Sequence, residues 1–215
     1  MKVLVIGSTG GSGRAAVEQL LSAGHDVTAF TRTPHDTDRP RLRYVTGDAL
    51  DPADVDRAVA GHDAVVVALG ISENPLRVRI LGPRHTPMQV RSRGTRTVVD
   101  AMRRHGVRKL VVLSAFGAGD SEPGLTRANR LFYRVVLAPQ ITDTERQEAL
   151  VRASGLDWVL ARPVNLTDDP RDTMPATARQ PVVHTVSRAS VGRFLARAVD
   201  DAALVGQAVA LSQAG

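Results

Sequence analysis

Residues 2–13, Lys2-Val3-Leu4-Val5-Ile6-Gly7-Ser8-Thr9-Gly10-Gly11-Ser12-Gly13, carry the pattern from which the fold is read. A continuous apolar run is what a parallel strand buried on both faces needs, and this one passes directly into a glycine-rich turn. Helix-forming residues, Arg14 to Leu21, come next. In a strand–turn–helix setting the three spaced glycines have separate jobs. Gly7 permits the tight turn, Gly10 lets backbone amides approach a pyrophosphate, and Gly13 lets the helix pack closely on the sheet. The helix N-terminus adds unpaired donors and a positive dipole. The stretch therefore points to a dinucleotide site rather than to a merely structural turn.

The same alternation continues outward from that point. Asp26 to Thr31 reads as a second strand and Leu42 to Thr46 as a third; Asp51 caps a helix with Pro52 at its first position. Asp63 to Leu69 is a fourth strand, Met88 to His105 a helix, and Lys109 to Ser114 a fifth strand. A helix is expected around Arg127 to Leu137, ended by Pro139. Thr142-Asp143-Thr144-Glu145 has capping-box spacing and opens another, running to about Ser154 with Gly155 behind it. Leu156 to Arg162 is a sixth strand, Asp168 to Gln180 a loop, and Val182 to Thr185 a short strand. Arg188 to Asp200 is a helix capped by Ser187, and Gln207 to Leu211 a last strand. This order predicts an α/β architecture over residues 1–215: one Rossmann-type, doubly wound, mostly parallel sheet with helices on both faces. The ligand is expected over the carboxyl ends of the strands, between the first and the fourth. Residues 114–185 are expected to form an acceptor pocket.

Bulk properties narrow the function classes. The 215 residues contain no cysteine, which removes disulfides, thiolate nucleophiles and cysteine-ligated metals and suits a cytoplasmic location. No apolar stretch reaches the length needed to span a bilayer. The formal net charge is +6, and Lys2 and Lys109 are the only lysines. Arginines scattered among acids, with aromatic residues at 3%, argue against nucleic acid, where stacking platforms are needed. The local excess lies between Ile71 and Lys109, where ten cations face only Glu73 and Asp100. It reads either as a solvated face or as a field attracting a polyanionic cofactor or substrate.

Candidate site residues lie just past each strand. After the second comes Thr31-Arg32-Thr33. An NAD site usually carries an acid here, whereas the Arg32 guanidinium suits the 2′-phosphate of NADPH. After the third, Asp48 is either an acceptor for the adenine amino group or a turn residue, and Leu50 can pack on the ring. Leu69-Gly70 lets backbone pass close to the cofactor ribose. Ser114-Ala115-Phe116 ends the fifth strand where a nicotinamide would reach, and Arg162-Pro163-Val164-Asn165 forms the opposite wall. The pair Tyr-x-x-x-Lys, which would supply a proton, is absent: Leu137 follows Tyr133 at that spacing and Asp48 follows Tyr44. Tyr133 is thus read as a core or surface residue. No histidine spacing suggests a metal site, and no nucleophile elbow surrounds Ser114.

Taken together, GSTGGSGR, FTR, GDALDPADVDRAVAGHDAVVVALG, GTRTVVDAMRRHGV, LSAFG and ITDTERQEALVRASGLDWVLARP give a chain that resembles the atypical short-chain dehydrogenase/reductases with an NmrA-like NAD(P)H-binding domain. Among these it looks most like the biliverdin-IXβ reductase/flavin reductase group. The resemblance implies NADPH held by Gly7, Thr9, Gly10, Gly11, Ser12, Gly13, Arg32, Asp48 and Gly70, with Leu50, Leu69, Ser114 and Pro163 beside it. It also implies hydride transfer to a flavin, quinone or tetrapyrrole. Where that group carries a histidine after paired prolines, this chain has Pro163-Val164-Asn165; an amide replaces an imidazole, which weighs against a tetrapyrrole.

A conjugated acceptor spreads the incoming charge, so a strong proton donor matters less than it does for a ketone. Ser114 and Asn165 are the expected catalytic residues, with Phe116, Arg77, Arg84 and Asn165 facing the acceptor. The partner is a small molecule, with no membrane or nucleic acid, on a monomer or homodimer. The rival reading is a non-catalytic NADP(H) sensor of NmrA-like type.

Overall fold

The protein is described here from a computed structural model covering residues 1–33, 35–71, 82–84, 86–119, 121, 138–170, 173–177 and 185–213. In chain order the elements are β1 (Lys2–Ile6), α1 (Gly11–Ser22), β2 (Asp26–Thr31), β3 (Leu42–Thr46), α2 (Pro52–Val59), β4 (Ala64–Val67), α3 (Val90–His105) and β5 (Lys109–Leu113). There follow α4 (Ala138–Arg152), β6 (Asp157–Pro163), β7 (Asn165–Thr167), β8 (Ala176–Thr177), β9 (Thr185–Ser187), α5 (Arg188–Asp200) and β10 (Gln207–Ser212).

One eight-stranded sheet has the order β3-β2-β1-β4-β5-β6-β10-β8. Its pairings are parallel except for β8 against β10, where Leu211 faces Thr177. The winding reverses beside β1, whose Ile6 pairs with Phe30 of β2 on one side and Val67 of β4 on the other. This is the doubly wound Rossmann arrangement the alternating sequence predicts, with the switch point between β1 and β4. A separate two-stranded ladder joins β7 to β9.

The strand pleat sorts the core into two layers. Val3 and Val5 point to the side covered by α1 and α5, where Ala16, Val17 and Leu20 meet Val191, Phe194 and Leu195. Leu4 and Ile6 point to the other side, against Val55 and Val59 of α2, Val98 and Met102 of α3, and Val151 of α4. With few aromatics available, both layers are packed mainly from Val, Leu and Ala.

Most element boundaries follow the local signals. Asp51 accepts from the amides of Ala53 and Asp54, and Ser187 accepts from the amide of Ser190, as N-caps do. The expected capping box at Thr142 is overturned. Residues 142–145 lie inside α4, which includes Pro139 in its first turn, where a missing N–H costs nothing. Asp143 instead caps a different helix: its carboxylate accepts from the amides of Arg91 and Ser92 and from the Ser92 hydroxyl, at the start of α3. The helix expected at 127–137 lies outside the described residues.

Candidate nucleotide site

The turn after β1 is shaped by close backbone contacts. Gly7 has φ 83°, and a Cβ there would lie 2.6 Å from the Ala68 carbonyl oxygen at the end of β4. A Cβ on Gly13 would lie 2.1 Å from the Gly7 oxygen, so α1 could not seat against the turn with any larger residue. Gly10 is the N-cap of α1, with no side-chain hydrogen bond and no acid in the first turn. Helix geometry leaves the amides of Gly11, Ser12 and Gly13 without intrahelical acceptors. Donors and dipole both face the carboxyl edge of the sheet, which is what an anion needs.

A cavity of about 260 Å³ opens there. Its wall brings together Gly7, Thr9 and Gly10 from the turn, Arg32 after β2, Asp48 and Leu50 after β3, and Leu69 and Gly70 after β4. These residues, drawn from four strand ends, belong to the set expected to hold the cofactor; Gly11, Ser12, Gly13, Ser114 and Pro163 of that set do not line the cavity. Thr86, Pro87 and Val90 close the far side. Asp48 accepts from the Leu50 amide (2.9 Å) through one carboxylate oxygen, so it is a turn residue as well as a wall residue. Ser12 and Gly13 are buried behind the turn.

The residues expected around the nicotinamide and acceptor fall differently. Ser114 is 3% exposed, and its hydroxyl donates to Glu148 Oε1 (2.5 Å). That carboxylate is gripped by Arg162, with Nε on Oε1 (2.8 Å) and Nη2 on Oε2 (2.5 Å). All three are buried at the ends of β5, β6 and the adjoining face of α4. Ser114 therefore has its proton committed, and it does not line the cavity, so its expected place facing the nicotinamide is corrected.

Phe116 is 1% exposed and packs in the core with Val164 and Val186. It cannot face an acceptor, and that expectation is corrected. The Phe116 amide donates to the Pro163 carbonyl (2.9 Å), and the ring packs into the apolar layer beneath α5. Pro163 is buried at the end of β6, Asn165 is exposed on the β7–β9 ladder, and Arg84 is exposed. None of these three lines the cavity. Arg77 and Tyr133 lie outside the described residues.

Two further cations stand near the turn, Arg91, one of the ten between Ile71 and Lys109, and Arg188, which no sequence signal singled out. Arg91 bridges β4 and β5: its Nη1 donates to the Leu113 carbonyl (3.4 Å), and its Nη2 would be 2.9 Å from a Cβ on Gly70. Burial lowers its pKa while the Asp143 charge opposes that shift. Arg188, first residue of α5, lies over Gly11. Each is brought beside a glycine, Gly70 or Gly11, by tertiary packing, so neither carries a motif in its own neighbourhood.

Comparison with known proteins bears on this geometry. A family model described as NAD(P)H-binding matches residues 7–202. Among solved structures, a short-chain dehydrogenase/reductase from Veillonella parvula in complex with NADP is 18% identical, with TM-score 0.77 over 100% of this chain and 95% of that one. ChuY, an anaerobilin reductase from Escherichia coli O157:H7, is 22% identical, with TM-score 0.74 over 99% and 97%. At these identities the likeness is one of fold. A 3-beta-hydroxysteroid dehydrogenase from Mycolicibacterium neoaurum is 42% identical over 65 residues, 30% of this chain and 18% of that protein. The chain thus matches about a fifth or less of the curated relatives' length.

Proposed function

The chain belongs to the NAD(P)H-binding family, and from that premise we propose that it is an NADPH-dependent reductase passing hydride to a conjugated acceptor such as a flavin or quinone. The observation that carries the cofactor choice is the cavity wall at Thr31-Arg32, where the exposed Arg32 stands on the same wall as the glycine turn. A carboxylate at that position would favour the ribose hydroxyl of NADH; a guanidinium favours phosphate. NADPH, when bound, supplies the hydride.

The protein's part is to hold and orient. The α1 amides grip the diphosphate, and Leu50 and Leu69 supply apolar wall. With the Ser114 proton already given to Glu148, no side chain described at this edge is set to protonate a localised oxyanion. A delocalised acceptor, protonated afterwards by water, suits that arrangement. The same committed hydroxyl also favours the second reading, a nucleotide sensor without turnover. NADPH oxidation with free flavin mononucleotide and a panel of quinones separates the two. Turnover above background is expected; tight NADPH binding with no turnover would leave the sensor.

A further inference from the structure

Helices α1 and α5 run side by side with both N-termini at the carboxyl edge of the sheet. Their backbones meet where Gly192 faces Ala15: a Cβ on Gly192 would lie 2.5 Å from the Ala15 carbonyl carbon. That contact places Arg188, the first residue of α5, directly over the first residue of α1. A Cβ on Gly11 would lie 2.6 Å from Arg188 Cδ and 2.8 Å from Nε. A side chain at Gly11 would displace the arginine stem from its place across the glycine turn. At its tip, Arg188 Nη1 donates to Asp168 Oδ1 (2.6 Å). The two partners are unequally placed: the Arg188 side chain is 31% exposed and that of Asp168 is 88% exposed.

We propose that Arg188 is a ligand of the cofactor's diphosphate, and that Asp168 is the partner it leaves when the nucleotide binds. This rests on the dinucleotide reading of the glycine turn given above. A guanidinium beside the unpaired amides of Gly11 and Ser12 adds a formal charge where the helix supplies only partial ones. An ion pair with a well-solvated carboxylate contributes little, whereas a fork of N–H donors on phosphate oxygens is among the stronger polar contacts. The exchange is therefore downhill. Asp168 holds the guanidinium and competes with the nucleotide for it. A residue from the far end of the chain thus sets how tightly the opening turn holds its anion.

The test is titration of NADP+ by calorimetry into wild type, Arg188→Ala, Arg188→Lys, Asp168→Asn and the double variant Arg188→Ala/Asp168→Asn. Thermal melts confirm that each variant folds. Arg188→Ala is expected to weaken binding roughly 10- to 100-fold, with Arg188→Lys between. Asp168→Asn, at an exposed position, is expected to tighten binding, and to lose that effect in the Arg188→Ala background. Adenosine 2′-monophosphate, which lacks the diphosphate, should bind wild type and Arg188→Ala alike. Unchanged NADP+ affinity in Arg188→Ala, or an Asp168→Asn effect of equal size in both backgrounds, would overturn the proposal alone. Failure of the wild type to bind NADP+ or NAD+ at all would overturn the dinucleotide reading and this proposal with it.

Discussion

Replacing Arg32 by Ala removes the one guanidinium placed after β2 on the cavity wall. A hydrogen bond to a charged group is worth about 1.5–3 kcal/mol, so NADPH affinity should fall roughly 10- to 100-fold while NADH affinity barely moves. Fluorescence titration with both nucleotides measures this; equal losses for the two would remove the basis for the NADPH choice. Away from the site, His62 is buried with Nε2 2.8 Å from Thr28 Oγ1, and Arg43 Nε donates to the same hydroxyl. Burial, aided by Arg43, lowers its pKa below the ordinary 6.5. The unfolded chain then takes up a proton before the folded one does, so stability falls as pH drops below about 6.5, by at most about 1.4 kcal/mol per pH unit, until the folded ring protonates too. Denaturant melts at pH 7 and pH 5 should show a smaller difference in His62→Gln than in wild type. Arg32 was readable in the sequence because it directly follows a strand; Ser114 was placed correctly at its strand end, but its bond to Glu148 was not. That bond joins positions brought together only by the packing of α4 on β5 and β6, and nothing near Ser114 announces it.

Among the elements, the α1–α5 pair carries the clearest steric demand. Gly192→Ala gains about 1 kcal/mol of helix propensity but drives a methyl into the backbone of Ala15. Backbone cannot turn aside as a side chain can. Overpacking of this kind costs about 1–3 kcal/mol or more, so the variant should melt several degrees lower. Gly94→Ala in α3 is the contrast, since its methyl would meet the Leu69 Cδ1 atom, the mobile end of a side chain. Calorimetric melts of both variants should rank Gly192→Ala as the more damaging; the reverse order would show that the helices can slide apart freely. Strands β1, β4 and β5 are legible because each is a nearly continuous apolar run, whereas β3, Leu-Arg-Tyr-Val-Thr, is carried by its β-branched and aromatic residues. The misread capping box has a specific cause. Thr-x-x-Glu spacing is a local signal, and Asp143 instead bonds the N-terminal amides of α3. The short strands β7 and β8 escaped notice because two or three residues cannot display a period.

The whole molecule binds its first and last thirds through one apolar layer, in which Ala16, Val17 and Leu20 of α1 are covered by Val191, Phe194 and Leu195 of α5. The doubly wound architecture itself was readable from the order of strands and helices, but which late helix would cover α1 was not, since amphipathic helices are interchangeable on paper. A chain stopped after residue 187 should leave that α1 face bare. Such a truncation is expected to aggregate on expression, as judged by sedimentation; a monodisperse product with native circular dichroism would show that the layer is dispensable. Synthesis proceeds from the amino end, so a ribosome exposes the glycine-rich turn and its helix long before the segment that shelters them has been translated. Throughout that interval the nascent polypeptide carries a sticky, half-finished surface, a natural point of attachment for a holding chaperone.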